Sequence, residues 1–488
     1  MGMCGIVAIY DNEEVIGKLY TSMLTIQHRG QDSAGIMTFD GRYHIKKGNG
    51  LIRDIFDEHN IARLTGNIGI GHTRYPTVGQ GSAEDAQPFW INHPFGIAAV
   101  HNGNVINFAE LKADLSERAH KIINSNCDVE VILNIFAEAL ERQRAKEITP
   151  EVVFNAARYV FKRVKGAYSA VLHIAGRGLV AFRDPHGIRP LLFGKRSDKL
   201  VPAFAFASES VSLDIIDFKE IRDVEPGEVI FIDQHRRVHS KKVARATFRP
   251  CIFEYIYFAR PDSYLNGINV DRSRVELGRY LARKIRKMKL KIDVVIPVPD
   301  SAKTAAVEIA RLLRIKYREG LVKNRYIGRT FIMAGDPIRQ QSIRYKLNPI
   351  RDVFKDRNVL IVDDSIVRGN TSRSIIQMAR NAGARKIFFA SYSAPLGHPC
   401  VYGIDMQTRD EFIAACSSSR QVALQIGADE VIYQDLADME KAVRKQNLGI
   451  RHFCKACFTG HYPLPVSSSL FQSIEEERIH TRQSECSK

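Results

Sequence analysis

The C-terminal half of this chain predicts an α/β fold on a parallel sheet, and three observations predict it. Val359 to Val362 are four consecutive apolar residues, and Val294 to Pro299 form a second apolar run. Unbroken runs of that length suit strands covered on both faces, as in a parallel sheet. Each run leads through a polar turn into a segment of helical character, Arg373 to Asn381 in one case and Ala302 to Leu313 in the other. Strand, loop and helix repeated in this way give a doubly wound sheet, with ligands at the carboxyl ends of its strands.

The turn after Val362 carries the chemistry. Asp363 and Asp364 are adjacent, and neighbouring carboxylates repel unless a cation or sugar hydroxyls offset the charge. Ser365 follows, and Arg368-Gly369-Asn370-Thr371-Ser372 then opens the helix, offering backbone N–H groups and two hydroxyls to a phosphate. A crossover whose acids only cap the helix is the plainer alternative. The other strand ends in Asp300-Ser301, so the sheet should bring Ser301 to the acid pair. Between the two strands, Lys323 to Leu347 is basic, Gly-punctuated and too polar for a core, which suits a loop that closes over a polyanion.

The stretch from Val359 to Ser372 resembles the phosphoribosyl pyrophosphate loop of type I phosphoribosyltransferases. The resemblance implies that Asp363, Asp364, Ser365, Arg368, Gly369, Asn370, Thr371 and Ser372 bind that substrate, with Lys323 and Arg329 reaching it from the loop. It also implies magnesium at Ser301, Asp363 and Asp364. Asn370 stands where many relatives have Thr.

The N-terminal half has its own signature. Cys4 precedes an apolar strand, Ile6 to Tyr10. With a free α-amine of pKa about 8, such a cysteine supplies its own general base. A buried cysteine is the bland reading, but polar clusters follow in order between apolar strands: Gln27 to Gly35, Gly71 to Thr77, His101 to Asn104 and Cys127 to Glu130. This set resembles the glutamine amidotransferase domain of N-terminal nucleophile hydrolases. By that resemblance Arg74 grips the glutamine α-carboxylate, Asp128 pairs with its α-ammonium, and Asn102 and the Gly103 N–H form an oxyanion hole around the Cys4 adduct. His72 and His101 are read as structural, and Arg183 to Pro190 with Ala207-Ser208-Glu209 as scaffold. Exposure of the Cys4 amine requires initiation at Met3 or removal of a short propeptide.

Length and composition set the frame. A chain of 488 residues exceeds one core, and 45% apolar with 26% charged residues is ordinary for a globular protein. No run approaches the roughly 20 apolar residues that cross a bilayer, and no secretory leader is visible. No membrane association and a cytoplasmic location are the expectation. The net charge of +17 is spread along the chain without an RNA-binding signature, which argues against nucleic acid.

Eight cysteines scattered over this length do not form a disulfide framework. Cys454-Lys455-Ala456-Cys457 with the distant Cys251 and Cys400 leaves zinc, a 4Fe–4S cluster or a reduced structural set open. Cys127, Cys416 and Cys486 are assigned no role.

Taken together, the motifs from Cys4 to about Pro463 resemble the glutamine phosphoribosylpyrophosphate amidotransferase family. The resemblance implies an α+β N-terminal nucleophile hydrolase sandwich of αββα layers over 4–235. An α/β type I phosphoribosyltransferase domain with a parallel sheet over 250–463 follows, then a tail over 464–488 that is expected to be disordered. The sandwich should end near Val229 to Asp233 and lead into a basic linker. The implied reaction converts glutamine and phosphoribosyl pyrophosphate to phosphoribosylamine, glutamate and pyrophosphate. An ammonia channel would be lined by Tyr75, Phe331 and Ile332. One branch of the family ligates 4Fe–4S through cysteines in these contexts, here Cys251, Cys400, Cys454 and Cys457. Purine nucleotides are the expected inhibitors, and a homo-oligomer, tetramer or dimer, the expected assembly. The rival reading, a non-catalytic sensor of purine nucleotides or phosphoribosyl pyrophosphate, would be expected to lose Cys4, Asp128 or the acid pair, and all are present.

Overall fold

The computed structural model describes residues 3–75, 83–197, 201–324, 346–406, 408–409, 412–468, 470–472 and 474–476. Arg329, Phe331 and Ile332 lie outside the described residues.

Two antiparallel sheets form the N-terminal half. The first runs edge to edge through Glu220–Asp223, Leu192–Arg196, Ala203–Ala207, Gly5–Tyr10, Ile68–Arg74, Ser33–Phe39 and Tyr43–Asn49. The second runs through Val238–Lys242, Glu228–Asp233, Gly178–Arg183, Gly166–Ile174, Ile97–Val105 and Phe89–Ile91. Alternate side chains of both sheets meet in one interior, where Ile6, Ala8 and Ile70 face Ala98, Val100 and Val171. The opposite faces are covered by helices, because every second strand residue there is also apolar. Helix Ile16–Thr25 buries Ile16, Leu19 and Met23, one stripe at helical spacing, against the first sheet. Helices Asp128–Arg142 and Pro150–Arg163 cover the second. This is the expected αββα sandwich.

The basic stretch after Asp233 is not a linker. Asp233 Oδ1 accepts from the His235 and Arg237 N–H groups, and this turn folds Val238–Lys242 back as an edge strand on Glu228–Asp233. Lysines suit an edge strand because their charge discourages further pairing.

In the C-terminal half a five-stranded sheet has the order Lys316–Tyr317, Val294–Pro297, Asn358–Asp363, Lys386–Ser391 and Glu430–Tyr433. All its pairings are parallel. Leu360 and Val362 point to one core with helices Val270–Lys287, Lys303–Leu313 and Leu436–Arg444, whereas Val359 and Ile361 point to another with Asn370–Asn381 and Ser419–Ile426. The apolar run is thus buried on both faces, as the sequence predicts.

The described residues between 464 and 476 differ from the expected tail. Leu464, Leu470, Phe471 and Ile474 pack against the core, and the described part of 468–476 is helical. The polar composition hid a stripe at 470, 471 and 474, which is helical spacing. No helix among the described residues is long and apolar enough to cross a membrane.

The halves meet at a buried ion cluster. Arg29 Nη1 donates to Glu209 Oε1 at 2.7 Å and Arg29 Nη2 to Glu254 Oε1 at 2.9 Å, while Arg189 Nη1 lies 3.5 Å from Glu254. Burial opposes the charge on Glu209, but His28 and Arg29 outweigh it and hold the carboxyl well below the usual range. Removing one partner strands a buried charge at a cost of about 3–5 kcal/mol. Glu254→Ala is therefore expected to lower the unfolding free energy obtained by urea titration by an amount in that range. A surface control, Glu13→Ala, should stay within about 0.5 kcal/mol of the parent protein.

Candidate functional site

Cys4 stands one residue before its strand, and register places Gly5 opposite Thr73, so the thiol lies beside the end of strand Ile68–Arg74. Its Sγ donates to the Tyr75 carbonyl at 3.7 Å, and Arg29 Nε donates to the Cys4 carbonyl at 3.0 Å. Cys4 is 8% exposed. Burial pushes the thiol up, Arg74 and Arg29 pull it back, and Asp128 adds to the rise. Arg74 and Asp128 are therefore electrostatic neighbours of the nucleophile, one of each sign.

Asp128 opens its helix. Its Oδ2 accepts from the Val105 N–H at 2.9 Å and its Oδ1 lies 3.3 Å from His101 Nδ1. Burial opposes ionisation, but His101, the Val105 N–H and Arg74 hold the carboxyl below the usual range. His72 Nε2 contacts the His101 carbonyl at 3.0 Å. Burial drives His72 well below its ordinary value, which keeps it neutral. Neither histidine is hydrogen-bonded to Cys4, which agrees with their structural reading.

Asn102 is wholly buried, yet neither its Oδ1 nor its Nδ2 has a hydrogen-bond partner. Leaving a buried amide unsatisfied costs about 1–3 kcal/mol, so the group is kept for an acceptor or donor that arrives. Gly103 beside it has φ 144°, and a Cβ there would stand 1.9 Å from the Ala167 carbonyl oxygen. Only glycine fits. Tyr75 gives its hydroxyl to Asp405 Oδ2 at 3.0 Å, a contact between the two halves.

In the second site the carboxyl end of strand Asn358–Asp363 carries the acid pair. Ser301 Oγ donates to Asp364 Oδ2 at 2.5 Å and Ser365 Oγ to Asp364 Oδ1 at 2.6 Å, so the two strand ends converge as the topology requires. Burial, then the charge of Asp364, raises the Asp363 carboxyl well above its usual range. Burial also raises Asp364, against the pull of the Ser301 and Ser365 hydroxyls. The chain folds next through Gly369 at φ 74°, where a Cβ would meet Ile413 at 2.5 Å, into helix Asn370–Asn381. Asn370 and Thr371 are exposed and Ser372 is buried. Lys323 Nζ reaches Asp300 Oδ2 at 3.1 Å.

The four cysteines singled out by spacing also come together. Cys251 and Cys454 pair as a parallel bridge, the His398 N–H donates to the Cys457 carbonyl at 3.1 Å, and Arg189 Nη2 lies 4.0 Å from Cys400 Sγ. Burial, then the charges of Cys400, Cys251 and Cys454, pushes the Cys457 thiol up. Burial pushes Cys251 up to about 11. Among the described residues no group of three or more His, Cys, Asp or Glu side chains is arranged to hold a metal ion.

Sequence reasoning did not single out Asp85 or Gln87. Both are buried beside the first site, and their only signal was a polar run before Phe89-Trp90-Ile91.

A thiol before a strand, flanked by opposite charges and an unpartnered amide, and an acid pair at a parallel strand end define an amidotransferase joined to a sugar-phosphate transferase. A glutamine amidotransferase domain model matches residues 72–214 and a phosphoribosyl transferase domain model matches residues 270–394. The chain is 46% identical to amidophosphoribosyltransferase of Pasteurella multocida, over 98% of this chain and 96% of that one. It is 47% identical to that of Escherichia coli, over 94% and 92%. The solved glutamine phosphoribosylpyrophosphate amidotransferase from B. subtilis, complexed with ADP and GMP, aligns with a TM-score of 0.84 at 36% identity, covering 95% of this chain and 98% of that one. The chain belongs to the amidophosphoribosyltransferase family, glutamine-dependent pentosyltransferases of the first step of purine biosynthesis.

The acid pair gives a prediction in the ligand-free protein. A carboxyl raised in the fold destabilises it as pH rises through its ordinary value of about 4, and the penalty grows until the folded-state value is reached. Asp363→Asn keeps an acceptor for the Asp364 N–H and removes the charge. At pH 7 it is expected to raise the melting temperature by about 2–4 °C per kcal/mol recovered, and near pH 3 the difference should vanish. Equal melting temperatures at pH 7 would refute the unoffset charge.

Proposed function

We propose that glutamine is hydrolysed at Cys4 and that the ammonia released attacks C1 of phosphoribosyl pyrophosphate at the acid-pair site. The observations that carry the first half are the wholly buried, unpartnered amide of Asn102 next to Gly103 and the opposite charges of Arg74 and Asp128 acting on the Cys4 thiol.

Arg74 takes the glutamine α-carboxylate and Asp128 its α-ammonium, which fixes the amide carbon at the thiol. The Cys4 Sγ forms a bond to that carbon as its proton passes to the α-amine of the same residue, once that amine is free. Asn102 Nδ2 and the Gly103 N–H donate to the oxyanion. Collapse expels ammonia as the α-ammonium of Cys4 returns its proton to the leaving nitrogen, and the thioester left behind is hydrolysed by water to glutamate and the free thiol. Tyr75, with Phe331 and Ile332, would line an apolar path that keeps ammonia unprotonated. At the second site Arg368 to Ser372 hold the 5-phosphate at a helix N-terminus, Asp363 and Asp364 bind the ribose hydroxyls, and Lys323 and Arg329 meet the pyrophosphate as it leaves.

The buried, repelling carboxyls beside Ser301 fit magnesium, which prefers oxygen ligands and supplies charge neutralisation to departing pyrophosphate when bound. The four thiols of Cys251, Cys400, Cys454 and Cys457 act on one another electrostatically, and thiolates are the donors that a 4Fe–4S cluster takes. Zinc thiolates lie about 2.3 Å from a single metal, whereas a 4Fe–4S cluster spreads the same four ligands around a cube. We assign them a structural 4Fe–4S cluster. The amidotransferase domain is taken as 4–235 with its edge strand continuing to Lys242, and the transferase domain as 250–463. A cytoplasmic homo-oligomer, tetramer or dimer, inhibited by purine nucleotides, completes the reading. The ADP and GMP in the B. subtilis enzyme support the inhibitor class.

Cys4→Ala is expected to abolish glutamine-dependent pyrophosphate release while leaving the ammonia-dependent reaction intact. Asn102→Ala should cut the glutamine-dependent kcat by about 10²–10³ without changing the ammonia reaction. Loss of both reactions in either variant, or of neither, would refute two separate sites. Anaerobically purified protein is expected to carry iron and acid-labile sulfide, both lost in Cys454→Ser; stoichiometric zinc instead would overturn the cluster.

A further inference from the structure

Two buried polar residues outside the proposed machinery hold its two charged groups. Asp85 Oδ2 lies 3.7 Å from Arg74 Nη2, and its Oδ1 accepts from the Asn126 N–H at 3.2 Å. Gln87 Oε1 accepts from the His101 N–H at 2.7 Å, and His101 Nδ1 lies 3.3 Å from Asp128. Gln87 Nε2 also donates to Cys127 Sγ at 3.5 Å, the residue before Asp128. Asp85 and Gln87 are 4% and 2% exposed.

The segment carrying them is itself fixed. The Ala86 carbonyl accepts from Lys47 Nζ at 2.6 Å, and a Cβ at Gly35 would stand 2.2 Å from the Gln87 carbonyl oxygen. Strand Ser33–Phe39 can approach so closely only because position 35 is glycine.

We propose that Asp85 and Gln87 are positioning residues for the amino-acid end of glutamine, Asp85 setting the plane of the Arg74 guanidinium and Gln87 setting Asp128 through His101. This rests on the assignment of Arg74 and Asp128 to the α-carboxylate and α-ammonium. A guanidinium pairs bidentately with a carboxylate only when the two planes coincide, so an acid fixed beside one Nη nitrogen bears on the plane that the substrate carboxylate must meet. The 3.7 Å separation orients Arg74 electrostatically without consuming it. Gln87 acts on the opposite charge from the same segment, so the spacing of the two charges is set by one short stretch of backbone.

The test is steady-state kinetics of Asp85→Asn and Gln87→Leu with three donors: glutamine, glutaminamide, which lacks the α-carboxylate, and glutaramate, which lacks the α-ammonium. Asp85→Asn is expected to raise the glutamine KM about tenfold with kcat within about twofold, a loss in keeping with a misplaced binding group. Its discrimination against glutaminamide should fall in parallel while that against glutaramate holds. Gln87→Leu should show the converse, and Asp85→Glu should recover part of the glutamine KM. Ammonia-dependent pyrophosphate release should match the parent protein in all three, which reports an intact fold. A parental KM in Asp85→Asn, or equal loss of discrimination against both analogues, overturns the positioning roles. Arg74→Lys separates the two levels: if it leaves the glutamine KM unchanged, the assignment of Arg74 itself fails.

Discussion

The buried ion cluster of Arg29, Glu209, Glu254 and Arg189 is the constraint on which the rest of this molecule depends. Arg29 uses its outer nitrogens on two carboxylates from different parts of the chain and its Nε on the Cys4 carbonyl. Glu209 spends its second oxygen on the Arg260 N–H at 2.9 Å and the Ser263 hydroxyl at 2.6 Å. Every charge in the cluster is out of water, so each is tolerable only while the others stay in place. Glu254 starts a π-helix, Glu254–Phe258, and Tyr392 donates to the Ile256 carbonyl in that turn and lies 3.2 Å from the Ser301 carbonyl. The nucleophile's backbone and the turn that reaches the acid pair are thus held by one set of polar contacts.

Burial is also what gives both sites their chemistry, in opposite ways. At Cys4 it disfavours the thiolate, so the thiol rests neutral, and the proposed hydrolysis requires a local base. At Asp363 and Asp364 it disfavours the carboxylates, so charge accumulates against a penalty that a bound cation relieves. The exposed phosphate turn needs no such device, because a helix N-terminus offers its N–H groups whether or not a ligand is present. Tyr75 links the regimes physically: its carbonyl accepts from the thiol while its hydroxyl meets Asp405 across the interface.

The parallel sheet was legible because Val359 to Val362 are apolar without alternation, and such a run has no stable solution except burial on both faces. Cys4, Arg74, Asn102 and Asp128 were legible as an ordered set, each in a polar cluster that packing alone does not require. Val238–Lys242 was misread, since an edge strand meets solvent and its lysines satisfy the same physics as a linker. The helical turns after 464 were misread because three apolar residues sufficed for docking within a polar segment. Arg29 sits inside the polar cluster Gln27 to Gly35, and nothing in the sequence around it or around Glu254 marks a buried ion pair. Nothing local in a sequence says that an Arg will meet a Glu 225 positions away. Asp85 and Gln87 were missed for the same reason, as their partners are set by sheet register.

The remaining requirement for hydrolysis is a base, and the structure narrows where it can come from. His72 Nε2 is engaged with the His101 carbonyl and His101 Nδ1 with Asp128, and neither ring is hydrogen-bonded to the thiol. The α-nitrogen of Cys4 lies in a peptide bond to Met3, which is itself buried, its N–H donating to the Arg29 carbonyl at 2.9 Å. Three contacts that place the thiol act through atoms beyond that bond: the Cys4 carbonyl on Arg29, Gly5 opposite Thr73, and the Ile6 N–H on Ser208. Breaking the Met3–Cys4 bond would free an amine beside the Sγ without removing any of them. The vacated Arg29 carbonyl would then be an acceptor for that amine. The contacts that hinge on that event are those of Met3 itself, its N–H on the Arg29 carbonyl and its Sδ 2.9 Å from Arg189 Nη1.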